Sequence, residues 1–159
     1  MRLGAALRRA WVGYQRRLDE EMAAAGFADR SLPDGRVLRM CSGPAEITVS
    51  QVGRELGITR QGASKLVVGL RDRGYVTLTP SATDRREKIV TLTERAIDFL
   101  AAQRNAARTI EDRLLEELGP GALANLYRIV DALAGEDDLR MSDYLRQMRR
   151  TGGLPHLDE

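Results

Sequence analysis

The 159-residue chain contains one cysteine and one histidine, and these two scarcities exclude whole classes of chemistry. A lone thiol, Cys41, permits no intramolecular disulfide and fits a reducing, cytoplasmic compartment. The single imidazole, His156, stands in a tail containing glycine and proline, where a histidine is usually solvated. No Cys/His cluster has the spacing of metal ligands, and no Gly-rich loop ends in the lysine that cradles phosphate. The paired carboxylates Glu20-Glu21, Glu116-Glu117 and Asp137-Asp138 read as solvated charge. The chain is therefore expected not to be an enzyme and to use no cofactor and no metal. No apolar run approaches the roughly 20 residues that span a bilayer, so no membrane partner is expected. The stretch from Met1 to Tyr14 is interrupted by Arg8 and Arg9 and lacks a small-residue cleavage site, so it reads as an amphipathic helix and not a signal. Aromatics are scarce at 4%.

What is abundant is Ala, Leu and Arg, strong helix formers that fill the long segments between turn signals and predict a mainly α protein of one domain. Positive charge is concentrated. Residues 48–95 hold nine Lys/Arg against five Asp/Glu, a net +4, whereas the whole chain is only +2. Basic surface is often merely solvated, so the charge acquires meaning only from the elements that carry it.

Leu3, Leu7, Trp11, Tyr14 and Leu18 recur at steps of four and three and predict a helix to about Ala25, ended by Gly26. A short helical segment with Leu32, Val37, Leu38 and Met40 follows and is broken at Ser42-Gly43-Pro44. Thr48 with Gln51 forms a capping-box signature, and Val52 and Leu56 face inward before a turn at Gly57. Thr59 caps a second helix to about Arg73, with Ala63, Leu66, Val67 and Leu70 inward and Arg60, Gln61, Ser64, Lys65 and Val68 outward. Two helices joined by so short a turn cross steeply, as in a helix-turn-helix. Residues 75–79 and 88–92, rich in β-branched side chains, predict a hairpin with residues 80–87 as its loop. The longest helix opens at Thr93 with Ala96, Phe99, Leu100, Gln103, Ala107, Ile110, Leu114 and Leu118 on one stripe. Gly119-Pro120-Gly121 stops it, Leu123, Leu126, Tyr127, Val130 and Leu133 mark another helix, and Met141, Tyr144, Leu145 and Met148 mark a last amphipathic segment before a polar tail at 151–159.

A major groove about 12 Å wide admits one α-helix, and a helix with its polar N-terminal half outward reaches base edges there. Thr59, Arg60, Gln61, Ser64 and Lys65 form that half, and Arg85, Arg86 and Lys88 in the hairpin are placed to reach an adjacent minor groove. Double-stranded DNA is the partner this pattern predicts.

The spacing Asp84-x-Arg86, five residues, then Leu92-Thr93, after a helix-turn-helix ending Leu70-Arg71-Asp72-Arg73-Gly74-Tyr75-Val76, resembles the winged helix of the multiple-antibiotic-resistance-regulator (MarR) family. The order of flanking helices resembles it as well. The resemblance implies a winged helix-turn-helix at 44–95 within a single domain 1–159, flanked by dimerisation helices at 1–30 and 96–150. It implies a homodimeric regulator, most commonly a repressor, on a pseudo-palindromic operator, with helix 59–73 in the major groove and wing 80–88 in the minor groove. Arg86 would take the wing-arginine role and Asp84 would orient it. Leu3, Leu7, Trp11, Leu123, Leu126, Tyr127, Val130, Tyr144 and Leu145 would form the dimer interface; the other reading is that they close a monomeric core. Many relatives bind small aromatic or phenolic effectors, for which Trp11, Tyr14, Arg17 and Cys41 are the candidate lining, although core packing explains the aromatics equally well. A peroxide-sensing branch places its cysteine in the N-terminal helix, where this chain has Trp11 and Tyr14, so Cys41 is expected to be packing. The competing function is a winged-helix adaptor for protein contacts without specific DNA binding.

Overall fold

The computed structural model describes residues 2–135, so Tyr144, Leu145, His156 and the tail lie outside the described residues. Six helices and three short strands run in the order α1 (Leu3–Ala24), α2 (Asp34–Cys41), β1 (Ile47–Thr48), α3 (Val49–Leu56), α4 (Arg60–Asp72), β2 (Val76–Pro80), β3 (Lys88–Leu92), α5 (Glu94–Leu118) and α6 (Pro120–Ala134). None of these helices is long and apolar enough to cross a membrane.

The core gathers where α1, α2, α3, α4 and α5 converge, around Met22, Leu38, Val52, Val67, Leu70 and Phe99. At its centre Phe99 meets both Phe27 and Tyr75 edge to face, with ring centroids 5.5 and 5.3 Å away. That geometry suits the ring quadrupole and adds to the area buried. Thr93 closes the unit: its hydroxyl donates to the Gly74 carbonyl at 2.7 Å and accepts from the Ala96 amide, so one side chain ends the sheet and caps α5.

The sheet differs from the expected two-stranded hairpin. It is three-stranded and antiparallel in the order β1-β3-β2, with Ile47 opposite Val90 and Leu78 opposite Val90 on the other side. β1 has only two residues, too few to display an alternating pattern in the sequence. Pro80, expected in the loop, is the last residue of β2, paired with Lys88. Proline is tolerated there because β2 is an edge strand whose end needs no further N–H donor.

Two details of helical register also differ. In α5 Ala106 is buried, as Ala96 is, whereas Ala107 is only half-buried, and Leu32 and Leu118 are exposed. The 25-residue α5 outruns the small core: Ile110 is its last buried residue, Leu114 packs against the core only in part, and Leu118 is exposed. α6 has no buried residue at all, and Leu126, Tyr127 and Val130 stand exposed with Leu3, Leu7 and Trp11 of α1; Leu123 is half-buried.

One ion pair is buried in this frame. Asp34, fully buried at the start of α2, receives both terminal nitrogens of Arg73 at 2.7 and 2.9 Å, plus the Ser31 amide and hydroxyl at 2.7 and 2.8 Å. Arg73 also donates to the carbonyls of Gly69 and Asp29. Removing the two partners should therefore cost different amounts. Arg73→Ala strands a buried carboxylate with Ser31 alone and should cost about 3 kcal/mol or more. Asp34→Asn leaves a guanidinium that is 28% exposed and keeps two carbonyl partners, so the cost should be nearer 1–2 kcal/mol. Urea unfolding measures both, and an equal or reversed order would refute this account of the pair.

Candidate nucleic-acid interface

The helix-turn-helix is built by two caps and one tight crossing. Thr48 accepts from the Gln51 amide while the Gln51 side chain accepts from the Thr48 amide at 2.7 Å, which is the reciprocal box that starts α3. Gly57 then takes the left-handed conformation, φ 65°, that a side chain would resist. At Gly53 a Cβ would lie only 3.2 Å from the Ala63 methyl, so the absence of one lets α3 and α4 cross closely. Thr59 accepts from the Gly62 amide at 3.1 Å and starts α4.

This crossing turns one face of α4 inward and the other out. Ala63, Val67 and Leu70 are buried and Leu66 and Val68 are half-buried, whereas Thr59, Arg60, Gln61, Ser64 and Lys65 are exposed. The turn of the wing, residues 81–87, is held by its own backbone: Ser81 donates to the Glu87 carbonyl at 3.0 Å and Glu87 to the Asp84 carbonyl at 2.9 Å. The Asp84 carboxylate accepts from the Arg86 amide at 2.9 Å. Asp84 thus acts on the peptide of Arg86 and not on its guanidinium, a hydrogen-bonded turn of the kind aspartate favours.

The two exposed elements touch. Arg60 donates from Nη2 to the Arg86 carbonyl at 2.8 Å, and the same nitrogen lies 3.1 Å from the Glu87 carboxylate. The start of α4 and the wing therefore share one basic face. On it the side chains of Gln61, Ser64, Lys65, Arg85, Arg86 and Lys88 have no hydrogen bond or ion pair with other described residues. Other cations of the same segment are engaged in structure. Arg73 is bound to Asp34, and Arg95 stacks 4.8 Å over the Tyr75 ring while pairing with Asp29. Burial, together with the Asp29 carboxylate that accepts from it, pushes the Tyr75 hydroxyl up to about 12, so it remains a proton donor at neutral pH. Sequence reading missed Asp34, Tyr75 and Glu87 as partners, because each pair bridges 26 or more positions and leaves no local pattern; Asp34 to Arg73 spans 39.

Of the residues expected around an effector, Trp11 and Tyr14 stack with centroids 6.2 Å apart. An open groove of about 590 Å³ along α1 is lined by Trp11, Val12, Gln15, Asp19, Glu20 and Ala28 among others, but not by Tyr14, Arg17 or Cys41. Tyr14 and Cys41 pack instead against the core, and Arg17 is exposed.

A family model described as "MarR family" matches residues 22–87 of the chain. Curated relatives include an uncharacterized protein of Mycobacterium tuberculosis, 32% identical over 94 residues that cover 57% of this chain and 66% of that protein. A riboflavin kinase of Thermoplasma volcanium is 36% identical over 59 residues, covering 37% of this chain and 26% of the kinase. The chain thus spans between a quarter and two thirds of the length of these relatives. Among solved structures, the transcriptional repressor CouR bound to a 23-mer DNA duplex is similar with a TM-score of 0.65 and 27% identity, covering 84% of this chain and 92% of that one. The fold of this chain is shared with that structure over most of both chains.

Cys41 sits at the end of α2, half-buried, and burial pushes its thiol up to about 11. A thiol with a raised pKa holds its proton throughout the neutral range and offers little thiolate for oxidation or alkylation. Iodoacetamide at pH 7.5 should therefore label the folded protein at least tenfold more slowly than the urea-unfolded chain. Labelling at the same rate in both states would show that the thiol is accessible and reactive.

Proposed function

The chain belongs to the MarR family, and from that premise we propose that it is a sequence-specific transcriptional regulator that binds duplex DNA as a homodimer. The observation that carries this reading is the shared face of α4 and the wing, with six exposed polar or cationic side chains that have no partner among the described residues. Gln61, Ser64 and Lys65 stand where a major groove would receive α4, and Gln61 has the donor and acceptor that adenine needs for a bidentate contact. Arg85 and Arg86 project at the wing tip, beside the same face, where a minor groove would lie. Thr59 and Arg60 at the helix start add backbone N–H groups and charge for phosphate.

Two copies are part of the proposal. A 15-residue helix without one buried residue, bearing Leu126, Tyr127, Ile129, Val130 and Leu133 exposed, has no reason to stay apolar in water unless something covers it. The exposed Leu3, Leu7, Trp11 and Val12 of α1 complete that surface, and a second copy brings a matching one by two-fold symmetry. Two reading heads then address half-sites about 34 Å apart. Repression is the direction favoured by likeness to CouR. The 59-residue stretch shared with the riboflavin kinase covers only 26% of that enzyme, too little to carry a proposal of kinase activity.

Selection of bound sequences from a random duplex pool should return an inverted repeat, and light scattering should give twice 17.6 kDa. Arg86→Ala should weaken binding to the selected site by about 1–3 kcal/mol in a gel shift. Affinity should fall with salt at a slope near −0.9 per phosphate neutralised. A monomer in solution, or unchanged affinity for Arg86→Ala, would contradict the corresponding part of the reading.

A further inference from the structure

Glu87 is an acidic side chain lodged between α4 and the wing, and it is turned inward: 19% of its side chain is exposed, against 61% for Arg60 beside it. Its Oε1 accepts from the Ser50 hydroxyl at 2.6 Å and lies 3.1 Å from Arg60 Nη2. Ser50 belongs to the first turn of α3, Arg60 opens α4, and Glu87 ends the wing turn. Three elements of the reading head therefore meet at a single carboxylate oxygen.

The contact has a further reach. Arg60 Nη2, held by Glu87, also donates to the Arg86 carbonyl, while the Arg86 amide donates to Asp84. The backbone of the outermost wing arginine is thereby held at both its N–H and its C=O, and only its side chain is left free to reach outward. Electrostatics alone would not put an acid here, because a negative charge beside Arg85, Arg86 and Lys88 weakens the attraction for phosphate. Its contribution has to come from geometry.

We propose that Glu87 is a positioning residue that clamps the wing to α3 and α4 through Ser50 and Arg60, fixing the separation of the two groove-reading elements before DNA arrives. This rests on the DNA-binding reading above. Arg60 Nε and Nη1 have no partner among the described residues, so the clamp orients Arg60 toward DNA without consuming it. Holding such groups in place beforehand raises affinity by lowering the ordering cost at the moment of binding.

Two variants and two readouts test the clamp. Glu87→Gln keeps an oxygen able to accept from both Ser50 and Arg60, whereas Glu87→Ala removes it; both delete the same charge. The clamp predicts that Glu87→Ala weakens binding to the selected duplex by about tenfold or more, the equivalent of one charge-assisted hydrogen bond, and that Glu87→Gln restores most of the affinity. In the free protein, amide exchange at Arg86 should quicken in Glu87→Ala and stay near the unmodified rate in Glu87→Gln. Simple charge repulsion predicts the opposite, with both variants binding equally and more tightly than the parent protein. That result, or unchanged exchange at Arg86 in Glu87→Ala, would overturn the proposal. If the parent protein bound no duplex, the regulatory reading would fall, and the exchange rates would still decide whether the clamp exists.

Discussion

The buried pair of Asp34 with Arg73 is the constraint on which the rest of this architecture turns. Arg73 is the C-terminal cap position of α4, and Asp34 is the first residue of α2, so the pair ties the end of the second helix of the helix-turn-helix to the scaffold behind it. Tyr75 and Arg95, joined through Asp29, extend the tie to the start of β2 and to α5. Burial works against the charge on Asp29, but the Tyr75 hydroxyl and the Arg95 guanidinium outweigh it and hold that carboxyl below its usual range. A carboxyl depressed in the folded state contributes stability above its unfolded pKa and loses it only as pH falls through the folded value. At neutral pH the tie is therefore complete.

With its far end anchored there and its near end fixed to the wing through Arg60, α4 is gripped at both termini and displays Gln61, Ser64 and Lys65 from its N-terminal half. A helix so held pays little entropy to meet a rigid partner, whereas a helix on a loose tether would have to be ordered at each encounter. The apolar length of α5 and α6 serves a different end. It exceeds what the core of one copy can cover, and the excess is confined to helices outside the winged unit, so the surface that would join two copies is separate from the surface that would read DNA.

Much of this was legible in the residues, because local signals carry local structure. Thr48 with Gln51, Thr59 and Thr93 each announce a helix start by side-chain chemistry, and each caps the helix expected of it. The outward face of α4 followed from helical period, and Arg85 and Arg86 from their place in a turn. What escaped was of two kinds. β1 is too short for a period of two to be visible, and Ala106 and Ala107 are chemically alike, so only packing against a neighbouring helix decides which is buried. The ionic ties also escaped: Arg73 and Tyr75 stood in the sequence as parts of a motif, but their partners Asp34 and Asp29 lie 39 and 46 positions away and announce nothing by spacing. Those ties position the candidate site, whereas the residues that would touch DNA were the readable part.

The division of the basic residues into bound and unbound has a physical corollary. Arg73 pairs with a carboxylate sealed from solvent, where dissolved ions screen little, so the frame should hardly feel ionic strength. Lys65, Arg85, Arg86 and Lys88 are exposed and unpaired among the described residues, and their attraction for a polyanion decays over a Debye length of about 8 Å at physiological salt. The same fold thus separates the charge that builds it from the charge that it offers. A rise in salt would release the proposed partner long before it loosened the protein, which suits a regulator whose occupancy must change while its structure endures.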